Sequence, residues 1–250
     1  MNKSVIIVGA GISGLSAGCY AQMNGYKTSI FEMHTIPGGL CTAWKKKGYT
    51  FDISMHMVTG SASGPFHTMW KELGVIDNFE FHFHKQMSQI EGMGKKLTFS
   101  TDRETMQNEL LSISPDDEKL IKEFIRIIFG PDMMKAASLN PPSLKSFSEK
   151  IKMIPAMLPL MRTFMKYGNV TIQDFASRFK DPFLREAIRF FIDSPGWPML
   201  QFPMVGLAGF IKSSVAEAGV PIGGSMKVML HLAGLFKKLD GEINYKSKVE

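Results

Sequence analysis

Residues 5–14 read Val5-Ile6-Ile7-Val8-Gly9-Ala10-Gly11-Ile12-Ser13-Gly14, an apolar run followed at once by three glycines in the spacing G-x-G-x-x-G. The run reads as a strand of a buried parallel sheet, and each glycine has its own job. Gly9 permits the tight turn out of the strand. Gly11 removes a Cβ where a pyrophosphate would approach the backbone, and Gly14 lets the following helix pack close to the sheet. That helix turns unpaired N–H groups and the positive end of its dipole towards the anion.

Working outward, residues 15–24 are helix formers or small, and Gly25 stands where helices commonly end on a left-handed glycine. Thr28-Ser29-Ile30-Phe31 reads as a second parallel strand that delivers Glu32, and after it Met33, at its carboxyl end. A carboxylate there accepts both ribose hydroxyls of an adenosine and repels a 2′-phosphate. The competing reading is a solvated charge at a strand end. A lone G-x-G-x-x-G is a weak signal; strand, glycine turn, helix, strand and acid in this order point to a dinucleotide.

A second glycine pair follows in Pro37-Gly38-Gly39-Leu40-Cys41-Thr42-Ala43-Trp44, and then Gly48-Tyr49-Thr50-Phe51-Asp52 with His56 close behind. A domain for NAD alone requires no such segment, whereas a longer dinucleotide would use more small backbone beside it. Together, GAGISG, the Glu32 strand end, PGGLCTAW and GYTFDISMH resemble the N-terminus shared by phytoene desaturases, carotenoid isomerases and retinol saturases, within the wider amine-oxidase-like flavoproteins. Leu40-Cys41 stands where many relatives carry a basic residue and Ser54 where a glycine is usual, while His56 is similar to the carotenoid isomerase and retinol saturase branch.

The resemblance implies FAD as cofactor, held by Gly9, Gly11, Ile12, Ser13, Gly14, Glu32, Met33, Gly38, Gly39 and Thr42. It places Thr42, Asp52 and His56 in or near the flavin shell, with His56 either a catalytic or a structural residue, and it sets Val249 against the adenine. The implied activity is hydride exchange between the flavin and a polyene or other isoprenoid chain, in the sense of desaturation, saturation or isomerisation. No Ser/His/Asp or Cys/His constellation in the sequence suggests another chemistry. The alternatives are an amine-oxidase-like flavoenzyme acting on a C–N bond, and a non-catalytic FAD-binding piece that needs a second chain. Family members run on for roughly as much again, so the resemblance implies the N-terminal portion of a longer flavoenzyme, or half of a split one.

Composition narrows the remaining classes. The 44% hydrophobic content of 250 residues excludes disorder and supports a sizeable core. The balance of 29 basic against 23 acidic residues, a formal +6, is too small and too scattered for a nucleic-acid surface. Cys19 and Cys41 form no CxxC and no disulfide framework is expected, which suits a reducing compartment. Cys19 reads as core, and Cys41 as a small packing residue or a reactive thiol beside the cofactor. The first strand begins almost at Met1, leaving no room for a signal peptide. No apolar stretch reaches the length of about 20 residues that a bilayer span needs. The expected setting is the cytoplasm, with one place for peripheral membrane contact. Residues 150–166 hold an apolar middle framed by cations and broken by Pro155 and Pro159. They read either as a piece that dips into a membrane interface or, the ordinary case, as a buried helix with basic ends.

Beyond Gly60 the pattern changes. Residues 66–73 read as a short helix ended by Gly74. Residues 80–90 alternate like one strand, with Phe79, Phe81 and Phe83 on one face and Glu80, His82 and His84 on the other. The two histidines read as solvated, and no metal site is expected. A turn over 91–94 leads to a second strand at 96–100. From 102 to about 220 the pattern is helical, with starts at Ser114-Pro115-Asp116-Asp117, at Thr171 and at Pro182. The chain's 19 Met and 19 Phe, many of them in this region, read as walls around an elongated apolar substrate or as plain core. A helix over 227–239, a turn at Asp240-Gly241 and a strand over 242–249 close the sequence. The expected fold class is α/β. A Rossmann-like FAD-binding domain with a parallel sheet occupies 1–75 and 221–250, and an inserted α+β, mostly helical substrate domain occupies 76–220.

Overall fold

A computed structural model of the chain describes residues 3–130, 142–193, 199–211 and 217–250. The chain divides into two compact units. Met1–Ser61, Phe66–His82 and Gly219–Glu250 form the first; Ala62–Pro65 and Phe83–Ala218 form the second. The boundary therefore falls after His82 rather than after residue 75, because the short strand that ends at His82 pairs antiparallel with Val220 and Pro221 of the returning chain.

In the first unit β1 (Ser4–Val8) feeds α1 (Ile12–Met23), which returns the chain to β2 (Lys27–Phe31). The two strands are parallel, with Ser4 opposite Lys27 and Val8 opposite Phe31. A hairpin of β3 (Ala43–Lys46) and β4 (Tyr49–Asp52) follows, then β5 (Val58–Thr59), α2 (Pro65–Glu72), α3 (Val75–Asn78) and β6 (Phe81–His82). The chain comes back through β9 (Ala218–Pro221), α10 (Ser225–Lys238) and β10 (Glu242–Asn244), and β10 joins the free side of β2 in parallel. Leu15 and Cys19 of α1 pack with Ile30 of β2 and with Leu232 and Phe236 of α10 in one buried cluster, which covers one face of the sheet. On its other face Ile6 and Val8 are 71% and 67% exposed. The last strand is shorter than the expected 242–249, since Lys246 takes a positive φ of 57° that ends extended pairing.

The second unit joins a β7 (Gln86–Gly92), β8 (Lys95–Ser100) hairpin to α4 (Arg103–Ile113), α5 (Glu118–Ile128), α6 (Phe147–Tyr167), α7 (Ile172–Ser177), α8 (Pro182–Ile192) and α9 (Met204–Ile211). The single strand expected over 80–90 is thus two strands, β6 and β7, one in each unit; the chain changes units between His82 and Phe83, and Phe83 is exposed. Of the phenylalanines read as substrate walls or as plain core, some are core, whereas Phe147, Phe164, Phe190 and Phe202 are exposed. Phe124, Phe175 and Phe179 are fully buried with ring centroids 6.0, 6.1 and 6.4 Å apart, a close aromatic cluster that leaves no room for a ligand between its members. The buried-helix reading of residues 150–166 is also overturned. That stretch lies in α6, where Ile151, Ile154, Leu158, Met161 and Met165 are all exposed.

Ser114-Pro115-Asp116-Asp117 does not open a plain α-helix. Pro115–Asp117 form a 3₁₀ turn ahead of α5, and the Asp117 side chain is used elsewhere. Buried at 4% exposure, it accepts hydrogen bonds from the Lys180 and Asp181 amides at 2.9 and 3.0 Å and from the Ser114 hydroxyl at 2.9 Å. Burial alone would raise its pKa, but these donors outweigh burial and hold the carboxyl below the usual range. A pKa lower in the folded than in the unfolded state contributes stability above the unfolded value, which is lost as the pH falls through the folded one. Asp117→Asn turns an amide donor towards these N–H groups and is expected to cost about 1–3 kcal/mol at neutral pH. It should also flatten the acid limb below about pH 4. Denaturant unfolding at neutral and acid pH checks both effects.

Candidate functional site

A cleft of about 520 Å³ opens at the carboxyl ends of β1 and β2, lined by Val8, Gly9, Gly11, Phe31, Glu32, Met33, His34, Gly39, Leu40, Ser247, Lys248 and Val249. Ligands of open α/β sheets bind at this end of the strands. Gly9 takes φ +95° to leave β1. Gly11 is the N-cap of α1, without a side chain to cap it, and no acidic residue stands in the first turn. The first N–H groups of the helix, those of Ile12 and the exposed Ser13, therefore have no intrahelical acceptor and suit an anion.

The two later glycines of the motif do different work. A Cβ on Gly14 would lie 2.0 Å from the Gly9 carbonyl oxygen and 3.2 Å from Ile7 Cγ2, whereas a Cβ on Gly11 would meet nothing within 4 Å. Gly14 serves the packing of helix on strand, and Gly11 keeps the cleft open.

Glu32 is 5% exposed, which excludes the solvated strand-end reading. Its Oε2 accepts from the Ala10 amide at 2.6 Å and its Oε1 from the His34 amide at 2.8 Å. A carboxylate offers about four acceptor positions, and the two amides take two of them. Tyr245 feels this site: burial first, then the negative charge of Glu32, raises its hydroxyl pKa. The backbone also brings the far end of the chain here, since the Ser247 amide donates to the Glu32 carbonyl at 2.9 Å and the Lys246 amide to that of His34 at 3.0 Å. Val249, 50% exposed, reaches the cleft by this route.

The second glycine pair abuts the first. The Gly38 amide donates to the Ala10 carbonyl at 2.8 Å, and Gly11 and Gly38 form a parallel bridge. Gly39 lines the cleft, while Gly38 stands behind it with φ +120°. Thr42 packs its Cγ2 near Gly38 and accepts from the Ile53 amide, outside the cleft lining. Asp52 has a structural role: its Oδ1 accepts from the Ser225 amide at 3.0 Å and the Ser225 hydroxyl at 2.5 Å, capping the start of α10. His56 is exposed in the bend between β4 and β5 and is not among the lining residues.

Sequence reasoning missed Val8, Phe31, His34, Leu40, Ser247 and Lys248 as lining residues. Val8, Phe31, Leu40 and Lys248 carried a signal, as strand ends or as neighbours of Gly39 and Val249; Ser247 is placed by a backbone bond to Glu32 that no local pattern reveals. Among the described residues no group of three or more His, Cys, Asp or Glu gathers as a metal site would require. Both cysteines are buried and free. Burial pushes the Cys19 thiol up to about 11, and it raises Cys41 as well.

The fold and the cleft define a nucleotide-binding Rossmann-like α/β domain, and residues 7–73 match the family model of the NAD(P)-binding Rossmann-like domain. Over 99% of its length the chain is 24% identical to the lycopene-forming phytoene desaturase of Pseudescherichia vulneris, covering 50% of that protein. It is 26% identical to the chloroplastic prolycopene isomerase of Daucus carota, over 98% of the chain and 41% of that protein. Among solved structures, an engineered putrescine oxidase superposes with a TM-score of 0.57 at 18% identity, over 99% of this chain and 51% of that one, a likeness of fold. Over nearly its whole length the chain is thus similar to phytoene desaturases and a prolycopene isomerase. It spans about half the length of the curated relatives it matches.

Two outcomes test the local geometry. Gly14→Ala should cost at least about 2 kcal/mol through overpacking against backbone, while Gly11→Ala should stay within about 1 kcal/mol; thermal unfolding of the two variants separates them. Ellman's reagent at neutral pH should leave Cys19 unmodified in the native protein and label it only after denaturation.

Proposed function

We propose that this chain binds FAD by its ADP half in the β1–β2 cleft and belongs to an oxidoreductase that exchanges hydride with a polyene or isoprenoid substrate. The arrangement of Glu32 carries the cofactor reading: a buried carboxylate with two free acceptor positions stands beside uncapped helix amides and a glycine pair that leaves room for a diphosphate. In this reading Gly11, Gly39 and the start of α1 take the pyrophosphate. Glu32 takes the ribose, and Met33 and Val249 flank the adenine with apolar surface. When bound, the flavin supplies the hydride chemistry; the protein supplies position and exclusion of water. The match to polyene-acting relatives over nearly the whole chain supports the substrate class. The exposed Ile6 and Val8 support a working enzyme in which more polypeptide, in cis or from a second chain, covers the open face of the sheet.

Calorimetric titration of the 250-residue chain with FAD and with ADP tests the cofactor reading. Both should bind, and Gly11→Val, whose side chain enters open cleft, should weaken both at least about tenfold, or about 1.4 kcal/mol, with the thermal unfolding midpoint little changed. Failure of either ligand to bind, or binding untouched by Gly11→Val, overturns it. For the substrate class, flavin-loaded protein should show an anaerobic change in the flavin absorption band with an isoprenoid of either oxidation level. A change with an amine alone would replace that class by C–N oxidation.

A further inference from the structure

We propose that Asp52 is a positioning residue for the diphosphate part of the β1–β2 cleft: by clasping the start of α10 it holds the second glycine loop against the first, a role that rests on the proposed nucleotide binding there. The start of α10 is built to take a carboxylate from elsewhere. Its N-cap is Gly224, without a side chain to cap it, and no acidic residue stands in the first turn. Capping by a local Ser, Thr, Asp or Asn is the ordinary solution. Here the acceptor comes from β4, 173 positions away: Asp52 Oδ1 accepts from the Ser225 amide at 3.0 Å and from the Ser225 hydroxyl at 2.5 Å, and Ser225 is buried. Gly224 takes φ +85°, and a Cβ on it would lie 2.5 Å from Asp52 Oδ2. Glycine at the cap thus gives up a local hydrogen bond and admits the remote one.

The clasp closes a circuit of short contacts that ends at the glycine turns. Ile53, next in sequence, donates its amide to the Thr42 carbonyl at 2.9 Å, and the Cys41 amide donates to the Gly38 carbonyl at 2.9 Å. Gly38 donates its own amide to the Ala10 carbonyl at 2.8 Å and bridges to Gly11. A Cβ on Gly38 would lie 3.2 Å from Met229 Cγ, one turn beyond Ser225, so α10 also supports the loop directly. The two loops run close together, since a Cβ on Gly39 would stand 3.4 Å from Gly11 Cα. The hairpin needs such an anchor: β3 and β4 form a two-stranded sheet in which residues 44–51 are all exposed, and a lone hairpin is marginal in water. Released from Ser225, the loop regains conformational entropy that opposes its ordering around a ligand. The adenosine end does not share this dependence. Glu32 is held there by the Ala10 and His34 amides, and the segment carrying Val249 by the Lys246 and Ser247 amides.

Titration of the 250-residue chain with ADP and with adenosine, followed by NMR, separates this role from plain stabilisation. Asp52→Ala should weaken ADP about fivefold or more and leave adenosine unchanged. Asp52→Asn, which keeps Oδ1 as an acceptor, should recover most of the loss. Ser225→Ala removes the hydroxyl and keeps the amide; it should shift ADP in the same direction by less, and it carries the test if Asp52→Ala does not fold. Amide hydrogen exchange in the ligand-free protein should quicken at Gly38, Cys41 and Ile53 of these two alanine variants and stay as it is at His34 and Lys246. Equal losses for ADP and adenosine, ADP affinity untouched in both alanine variants, or exchange unchanged at all three amides overturns the proposal. Should the parent chain bind neither nucleotide, the cofactor reading fails and the nucleotide role of Asp52 with it, while the exchange comparison still decides whether Asp52 holds the loop.

Discussion

The first unit is organised around the carboxylate of Glu32. Three stretches of chain far apart in sequence meet at this residue: the turn after β1 through the Ala10 amide, the end of β2 through the His34 amide, and the segment after β10 through the Ser247 amide on its carbonyl. Burying a charge costs several kcal/mol unless donors replace the lost water. Here two backbone amides do so, and they are fixed by the strands and turn that carry them. The carboxylate is thus held in place before any ligand arrives, with its spare acceptor positions already oriented. Such preorganisation lowers the ordering cost of binding.

The two units are built on different physics. In the first, close backbone approach decides the architecture: Gly14 lets α1 sit against the Gly9 carbonyl, and Gly38 lets a second loop bridge to Gly11. In the second, aromatic and aliphatic volume decides it, with Phe99 stacked on Phe191 at 4.0 Å and Phe124, Phe175 and Phe179 fully buried. Polar latches then fix loops onto that core. Asp117 pins the amides of 180 and 181, and Asp181 in turn caps α8 and pairs with Lys95. An added methyl group at Gly14 of the first unit is felt as a steric clash, a truncated side chain in the core of the second as a cavity or an unpaired donor.

What was legible in the sequence was local. β1, α1 and β2 follow from apolar runs, helix formers and glycines at fixed spacing, and Glu32 follows from its place at a strand end. What was not legible depends on distant partners. The alternation of Phe79 to His84 is real as far as His82, but nothing in it records that the chain there leaves one unit for the other. Asp52 carries a motif position that the resemblance places beside the flavin, yet its side chain caps α10, some 170 residues further on. An amphipathic stripe such as that of α6 reads the same whether it faces protein, lipid or water, since periodicity reports a face and not its neighbour. The wall-or-core ambiguity of the phenylalanines has the same origin.

The placement of these residues divides recognition from reaction. Glu32, Met33, Lys248 and Val249 gather at the sheet end with Gly9, Gly11 and Gly39. The three residues assigned to the flavin shell by resemblance stand off from that lining: Thr42 packs behind Gly38, Asp52 is engaged with Ser225, and His56 is exposed. A nucleotide grip gains little from mobility, because its ligand is the same in every turnover. Glu32 and the two glycine pairs are the parts of the cleft fixed by backbone hydrogen bonds within the first unit. None of Thr42, Asp52 and His56 lines this cleft, so the described geometry of the first unit is that of the glycine turns and Glu32.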